Sequence, residues 1–265
     1  MKRISSRQNP LFRAIRQLAN SPQARRKMSQ TILDGIHLCQ AYLDRHGSPL
    51  YCVVDEAARD VPEVRAITDA CSDRHVDIIV LSSAMYALIT QVEEGQGILF
   101  VVSVPVFSLP EKIEDTVVLL DRIQDPGNMG SILRSAVSAG IAEIFCSAGS
   151  ASAWSPRVLR AGMGAHFACC IHENVDLAAL VETLPMKVIA TAPRAQTSIY
   201  EYDLRTPLAW IFGHEGQGVS EALLSKAHVR LNIPLHESSA SLNVAASAAI
   251  CFFEQLRQQR SGWGG

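Results

Sequence analysis

No C-x-x-C pair occurs in the 265 residues, although seven cysteines are present: Cys39, Cys52, Cys71, Cys146, Cys169, Cys170 and Cys251. Without ligand spacing, and with most of these thiols inside apolar runs, zinc sites and a disulfide framework are set aside; core thiols in a reducing compartment are expected, and no metal. No apolar run approaches the roughly 18 residues of a membrane span, and no signal-peptide hydrophobic region opens the chain, so a soluble, cytoplasmic protein is expected. Internal repeats are missing, as is low complexity before the glycine-rich end. G-x-G-x-x-G at a strand end, with an acid about 20 residues on, occurs nowhere, which removes the dinucleotide-dependent enzymes.

Acids are absent from one end only. Residues 1–33 hold Lys2, Arg3, Arg7, Arg13, Arg16, Arg25, Arg26 and Lys27 and no carboxylate, so the remainder carries 16 of the 24 bases against all 26 acids. The net charge of −2 hides this basic arm. Asn9 and Pro10 read as a helix cap and first residue, followed by Leu11, Ile15 and Leu18 on one face with Arg13 and Arg16 on the other. Three readings stay open on these residues: a phosphate-binding surface for nucleic acid, an ordinary solvated helix, and an acid-free organellar transit peptide.

What is present is a hydrophobic content of 48%, ample for packed cores in one large or two ordinary domains. LYCVV (50–54), VDIIVL (76–81) and GILFVVSV (97–104) read as buried strands, with a helical stretch SSAMYALITQV (82–92) among them. These make a small α/β module over residues 1–103. Residues 104–115 bring two prolines and mixed charge without a period, as a linker does. From 116 to 265 strands and helices alternate again: TVVLLDRI, a helix from Gly130, IAEIFCS, a helix opened by Ser155-Pro156, MKVIATA, PLAWIFG, VRLNI, and a final helix from Ser241. A second α/β domain around a mostly parallel sheet is expected.

Ligands of such sheets bind beyond the carboxyl ends of the strands, and three strand ends carry unusual loops. DPGNMGSILR (125–134) combines Gly127 and Gly130 with Asn128, and sets Arg134 one turn beyond Gly130. A cation in the first turns of a helix opposes its dipole, so either something rewards Arg134 there or it is a plain surface arginine. GHEGQGVS (213–220) looks like a phosphate loop, but Glu215 sits in its middle and no lysine is near, so a cationic ligand without phosphate fits better. PLHESSASLNVAASAAI (234–250) gathers Ser238, Ser239, Ser241 and Asn243 ahead of an alanine-rich helix, with Ser241 also readable as its N-cap.

Taken in order, D-P-G-N-M-G-S-I-L-R, I-F-G-H-E-G-Q-G-V-S and I-P-L-H-E-S-S-A-S-L-N-V resemble the three signature motifs of the SpoU/TrmH family of RNA 2′-O-ribose methyltransferases. ISSRQNPLFRAIRQL is similar to that family's substrate-binding extension, a ribosomal-protein-like α/β module. The resemblance implies a SPOUT catalytic domain tied as a trefoil knot, S-adenosylmethionine as cofactor, ribosomal RNA as preferred substrate with transfer RNA as alternative, and a homodimer through the C-terminal domain. It implies a cofactor site at Gly213, Gly218, Ile233 and Leu242, with backbone groups near Thr191 and Ala192. Asn128 and Arg134 would handle RNA, Ser241 and Asn243 would brace the site, and Glu215 would stand beside the sulfonium. RNA contacts of the arm would come from Arg3, Arg7, Arg13, Arg16, Arg25, Arg26 and Lys27.

Two departures from the family pattern are visible. His214 stands where a small residue or serine is common, and is read as a substrate contact or a plain loop residue; Asp34 in ILDGIH stands where extensions tend to carry Glu. A guanidinium with a pKa above 12 accepts a proton poorly, so Arg134 is read as a clamp for the neighbouring phosphate and the developing alkoxide. The competing class is an RNA-binding protein without catalysis.

Overall fold

Short β-branched and aliphatic runs separated by capped helices build two layered units in the computed structural model, which describes residues 1–91, 96–193, 195–238 and 241–260. Val92, Ser239 and the last five residues, which enter the sequence readings above, lie outside the described residues. One unit comprises Met1–Pro105 with Trp154–Phe167, the other Val106–Ala153 with Ala168–Gly265.

The first unit runs β1 (Lys2–Ile4), α1 (Pro10–Asn20), α2 (Pro22–Met28), β2 (Gln30–Asp34), α3 (Ile36–Arg45), β3 (Tyr51–Asp55), α4 (Pro62–Asp73), α5 (Ser83–Tyr86 after β4, Asp77–Leu81) and β5 (Ile98–Ser103). The sheet order is β1-β4-β3-β5-β2. β1 and β3 flank β4 in parallel, while β5 runs antiparallel to β3 and β2. Within the run SSAMYALITQV, Ser83–Tyr86 form α5 and residues 87–89 continue as a turn, with Tyr86 and Ile89 both in the core.

Residues 1–33 are no appended arm. Asn9 caps α1 through Oδ1 as its sequence suggests, but Ile4, Phe12, Ile15 and Leu18 are each at most 3% exposed and form the core with Val53, Ile79 and Val101. A segment destined for removal would take that core with it, so the transit-peptide reading falls. Arg25 also changes role. It is half-buried, and its Nη1 donates to Leu18 O at 2.7 Å and Ala19 O at 3.3 Å, closing the C-terminal end of α1. Desolvation and neighbouring Arg26 lower its pKa, and the two carbonyl bonds make it a structural cation of α1. Arg3 pairs with Glu56 at 2.8 Å, whereas Arg7, Arg13, Arg16, Arg26 and Lys27 are exposed.

The segment Trp154–Phe167 belongs with this unit although its sequence neighbours do not. Its helix α7 (Pro156–Gly162) packs on β2, the Thr31 hydroxyl donates to Trp154 O at 2.7 Å, and Phe167 meets Tyr42 edge to face at 5.5 Å.

The second unit begins with β6 (Val117–Asp121), α6 (Pro126–Ser138), β7 (Glu143–Cys146) and β8 (Cys170–His172). It continues with α8 (Leu177–Thr183), β9 (Lys187–Thr191), β10 (Thr197–Ser198), β11 (Leu208–Gly213), α9 (Glu221–Leu224), β12 (Val229–Asn232) and α10 (Val244–Gln259). All pairings in its sheet, ordered β10-β12-β9-β11-β6-β7-β8, are parallel. A parallel sheet buried on both faces needs near-continuous apolar strands, and β6 and β11 are buried at every position. α10 packs on the Pro126–Ser138 helix and is pinned to β11 by a buried bond, Trp210 Nε1 to Gln255 Oε1 at 2.8 Å.

Candidate active site

The helix that carries the first loop starts earlier than its glycines suggest. Asp125 is its N-cap, with Oδ1 accepting from Asn128 N at 2.8 Å, and Pro126 occupies the first position. Arg134 is therefore the ninth of thirteen helical residues, not a first-turn cation, and the dipole argument for its placement does not hold. It is exposed, and among the described residues it makes no hydrogen bond or ion pair, so its guanidinium is available to a ligand.

The last helix starts later than expected. Asn243, not Ser241, is the N-cap of α10: its Oδ1 accepts from Ala245 N at 2.9 Å and Ala246 N at 3.2 Å. Ser241 is exposed and lies two residues ahead of the cap.

These two helix starts meet through the second loop. Glu215 accepts from Gln124 N at 3.2 Å, from Asp125 N at 3.0 Å and from Asn128 Nδ2 at 3.1 Å. Asn128 Oδ1 in turn accepts from Asn243 Nδ2 at 2.8 Å. Glu215, Asn128 and Asn243 thus form one continuous chain through all three motifs, and Asn128 spends a donor and an acceptor on holding the loops together. Partial burial opposes ionisation of Glu215, but the bonds from Asp125, Asn128 and Gln124 outweigh it and keep the carboxyl below its ordinary pKa. The acid in the glycine loop is a fastener for the first motif.

The glycine loop itself folds back on the strand it leaves. His214 and Gly218 form an antiparallel bridge, and His214 Nδ1 accepts from Gly216 N at 2.9 Å and Gln217 N at 3.2 Å. Through Nδ1, His214 is therefore an internal strut of the turn. Gly213 is buried beneath the turn, and a Cβ there would lie 2.1 Å from Val219 N and 2.2 Å from the Gly218 carbonyl carbon. Gly218 has φ +72° and donates its N–H to His214 O at 2.8 Å.

Sequence reasoning missed the support beneath this loop. Buried Asp121, at the end of β6, accepts from Ser220 N at 2.8 Å, and Arg122 Nη1 donates to Gln217 Oε1 at 3.2 Å from a backbone at φ +56°. The Asp at a strand end was a readable signal; the left-handed Arg122 had none. The remaining cofactor candidates sit along the same carboxyl edge, where Thr191 pairs with Leu231 in register and Gly213 with Asp121. The Ala192 N–H is taken by Leu231 O at 2.9 Å, and its carbonyl accepts from Ala195 N at 3.1 Å. Ile233 is half-buried just past β12, and Leu242 is 38% exposed, an apolar side chain free to cover a ligand.

Among the described residues no cluster of three His, Cys, Asp or Glu side chains is arranged to hold a metal, and no helix is long and apolar enough to cross a membrane.

Known proteins resemble this chain over nearly its whole length. The 23S rRNA (guanosine(2553)-2′-O)-methyltransferase RlmP of Bacillus subtilis is 30% identical over 96% of this chain and 98% of its own. A crystal structure of an RNA 2′-O ribose methyltransferase superposes with a TM-score of 0.83 at 25% identity, covering 97% of this chain and 99% of that one. An AdoMet-bound rRNA methyltransferase from Sinorhizobium meliloti has the same fold, with a TM-score of 0.83 at 24% identity over 97% of each chain. The profile of the SpoU rRNA Methylase family matches residues 115–253, and the chain belongs to that family.

Proposed function

We propose that this protein transfers the methyl group of S-adenosylmethionine to a ribose 2′-hydroxyl of RNA, with ribosomal RNA as substrate. The observation that carries the reading is the Glu215–Asn128–Asn243 chain, which fastens all three motifs at the carboxyl edge of one parallel sheet. The cradle fits the cofactor. Glycine at 213 and 218, the Thr191–Ala192 backbone and apolar Ile233 and Leu242 offer close backbone approach and dry cover, as a nucleoside sulfonium without phosphate requires. When bound, S-adenosylmethionine supplies an electrophilic methyl group.

In this reading Arg134 holds the phosphate beside the reacting ribose and stabilises the alkoxide as it develops, since its guanidinium stays protonated at working pH. Asn128, Glu215 and Asn243 are positioning residues, and Ser241 braces the third loop. The catalytic unit carries the family's trefoil knot, the first unit is its ribosomal-protein-like RNA-binding module, and the enzyme works in the cytoplasm. We further propose a homodimer through α10. α10 packs on the Pro126–Ser138 helix and buries Ala245, Ala248 and Cys251, yet Phe253 stays 47% exposed, with Ala249, Ile250 and Leu256 only half-buried.

The direct test is a thermal shift followed by mapping. S-adenosylmethionine at a hundredfold excess over its Kd should stabilise the protein by about 2.7 kcal/mol, and ribosomal RNA from cells lacking the gene should lose one 2′-O-methyl mark. A stabilised protein with all marks unchanged in ribosomal RNA would move the substrate to transfer RNA; no stabilisation would leave a non-catalytic RNA binder.

The basic surface is tested by substitution, because deleting 1–33 would remove two strands and part of the core. Exposed Arg13 and Arg16 changed together to Glu should lower the log–log salt slope of RNA binding by about 0.7–0.9 per lost contact. An unchanged slope returns these residues to an ordinary solvated helix face.

A further inference from the structure

Among the described residues, Ser29, His75, Arg122, Met163 and Asn174 adopt a left-handed backbone without being glycine. Four of them have a local reason. Ser29 and Met163 are the C-caps of α2 and α7, His75 directly follows the C-cap of α4, and asparagine tolerates this region. Arg122 ends no helix. It follows the last residue of β6 at φ +56°, a conformation that glycine would hold at lower cost, so the use of the position lies in its side chain.

That side chain is half-buried and held at two nitrogens. Nε lies 3.4 Å from Asp121 Oδ1, and Nη1 donates to Gln217 Oε1 at 3.2 Å. The backbone beneath is held as well, with Arg122 N donating to Ser147 Oγ at 2.9 Å. Gln217 stands exposed between Gly216 and Gly218 in the glycine turn. Arginine has donors only, so the oxygen of the Gln217 carboxamide faces Arg122 and its NH2 group points away.

The other polar side chains of the turn are directed inward. His214 Nδ1 accepts from Gly216 N and Gln217 N, and Glu215 accepts from Gln124 N, Asp125 N and Asn128 Nδ2. Asp121 is buried and accepts from Ser220 N. The carboxylates beside the turn are thus occupied, and what the turn offers outward is a pair of N–H donors backed by a guanidinium. Such a pair takes an anionic oxygen. The turn is tied to Asn128 in the first motif, and the oxygens that an RNA strand presents irrespective of its bases are those of its phosphates.

We propose, on the RNA reading given above, that Gln217 contacts a phosphate of the strand that carries the reacting ribose, and that Arg122 is the positioning residue that aims its carboxamide.

The test measures affinity of the full chain for transcribed ribosomal RNA, and for a transcript of unrelated sequence and equal length, by filter binding at fixed salt. Gln217→Ala removes the donors and should weaken binding about tenfold, the scale of one hydrogen bond to a charged group. The factor should be the same for both transcripts, because phosphates carry no sequence. Gln217→Glu keeps an acceptor for Arg122 but turns a second oxygen toward the strand, and should weaken binding further. Arg122→Gly relieves the left-handed backbone and should leave Tm unchanged or raised, while RNA binding falls at least about threefold. The deciding variant is the double one: Arg122→Gly with Gln217→Ala should bind no more weakly than Gln217→Ala alone, since a residue that acts through another adds nothing once the other is gone. Additive losses would overturn the positioning role, and undiminished binding by Gln217→Ala would overturn the contact. A loss confined to one transcript would overturn the phosphate as its partner. A lower Tm or weakened S-adenosylmethionine binding in Arg122→Gly, with RNA affinity intact, would make Arg122 a prop of the turn and overturn the proposal. Wild-type protein that binds neither transcript fails the RNA reading itself, whereas wild-type binding matched by every variant fails this inference alone.

Discussion

Replacing Arg134 by Ala should lower methyl transfer by two to three orders of magnitude, the range for removing one donor to a developing oxyanion, while S-adenosylmethionine affinity stays within a few fold. The expectation follows from an exposed guanidinium that no other described side chain engages, on a helix whose start is fastened to both other motifs. Turnover is measured with saturating cofactor and transcribed ribosomal RNA, and the Kd by calorimetry. Near-normal turnover would remove Arg134 from the reaction. The same variant tests the proposed dimer. Mixed with Gly213→Trp subunits, Arg134→Ala subunits should regain part of the activity if each site draws on two chains. A monomeric mass by light scattering at micromolar concentration would end that proposal.

The second large effect is expected from a single methyl group. Gly213→Ala places a Cβ 2.1 Å from Val219 N, an overlap with backbone that no rotamer relieves. The turn has to move, at about 1–3 kcal/mol for overpacking, and the cofactor-induced thermal shift should disappear. Gly216→Ala is the control in the same loop, because its Cβ would meet only the His214 ring, at 3.7 and 3.8 Å. Gly218→Ala separates conformation from space: it meets nothing within 4 Å but carries φ +72°, so it should cost about 1 kcal/mol of stability with most of the thermal shift retained. Equal behaviour of the three variants would show that the turn tolerates displacement.

The sequence disclosed elements well and their ends poorly, for identifiable reasons. Runs such as VVLLD and LAWIFG are buried at every position and read directly as strands. Lys2–Ile4 and Thr197–Ser198 are too short to show a period. Two cap-type residues compete ahead of α10, and only the geometry of its first turn selects Asn243 over Ser241. Gly127 and Gly130 disguised a helix that Asp125 and Pro126 announce by the ordinary rules. The motifs marked the site because their residues are local in sequence. The bonds joining them span 87 and 115 positions, and nothing local encodes which side chain of one loop reaches which of another. Unreadable for the same reason was the attachment of Trp154–Phe167 to the first unit.

That attachment sets an order of events on the ribosome. The first unit lacks its last segment until residue 167 has been made, well after Pro105 emerges. At 5–20 residues per second, the 62 residues between them take roughly 3 to 12 s. Through that interval Thr31 and the outer face of β2 wait for Trp154 and the helix behind it, while β6 and β7 are already in hand. The nascent chain thus carries edge strand β2 past the tunnel exit before its last packing partner exists, and an uncovered strand edge is a template for pairing with another chain.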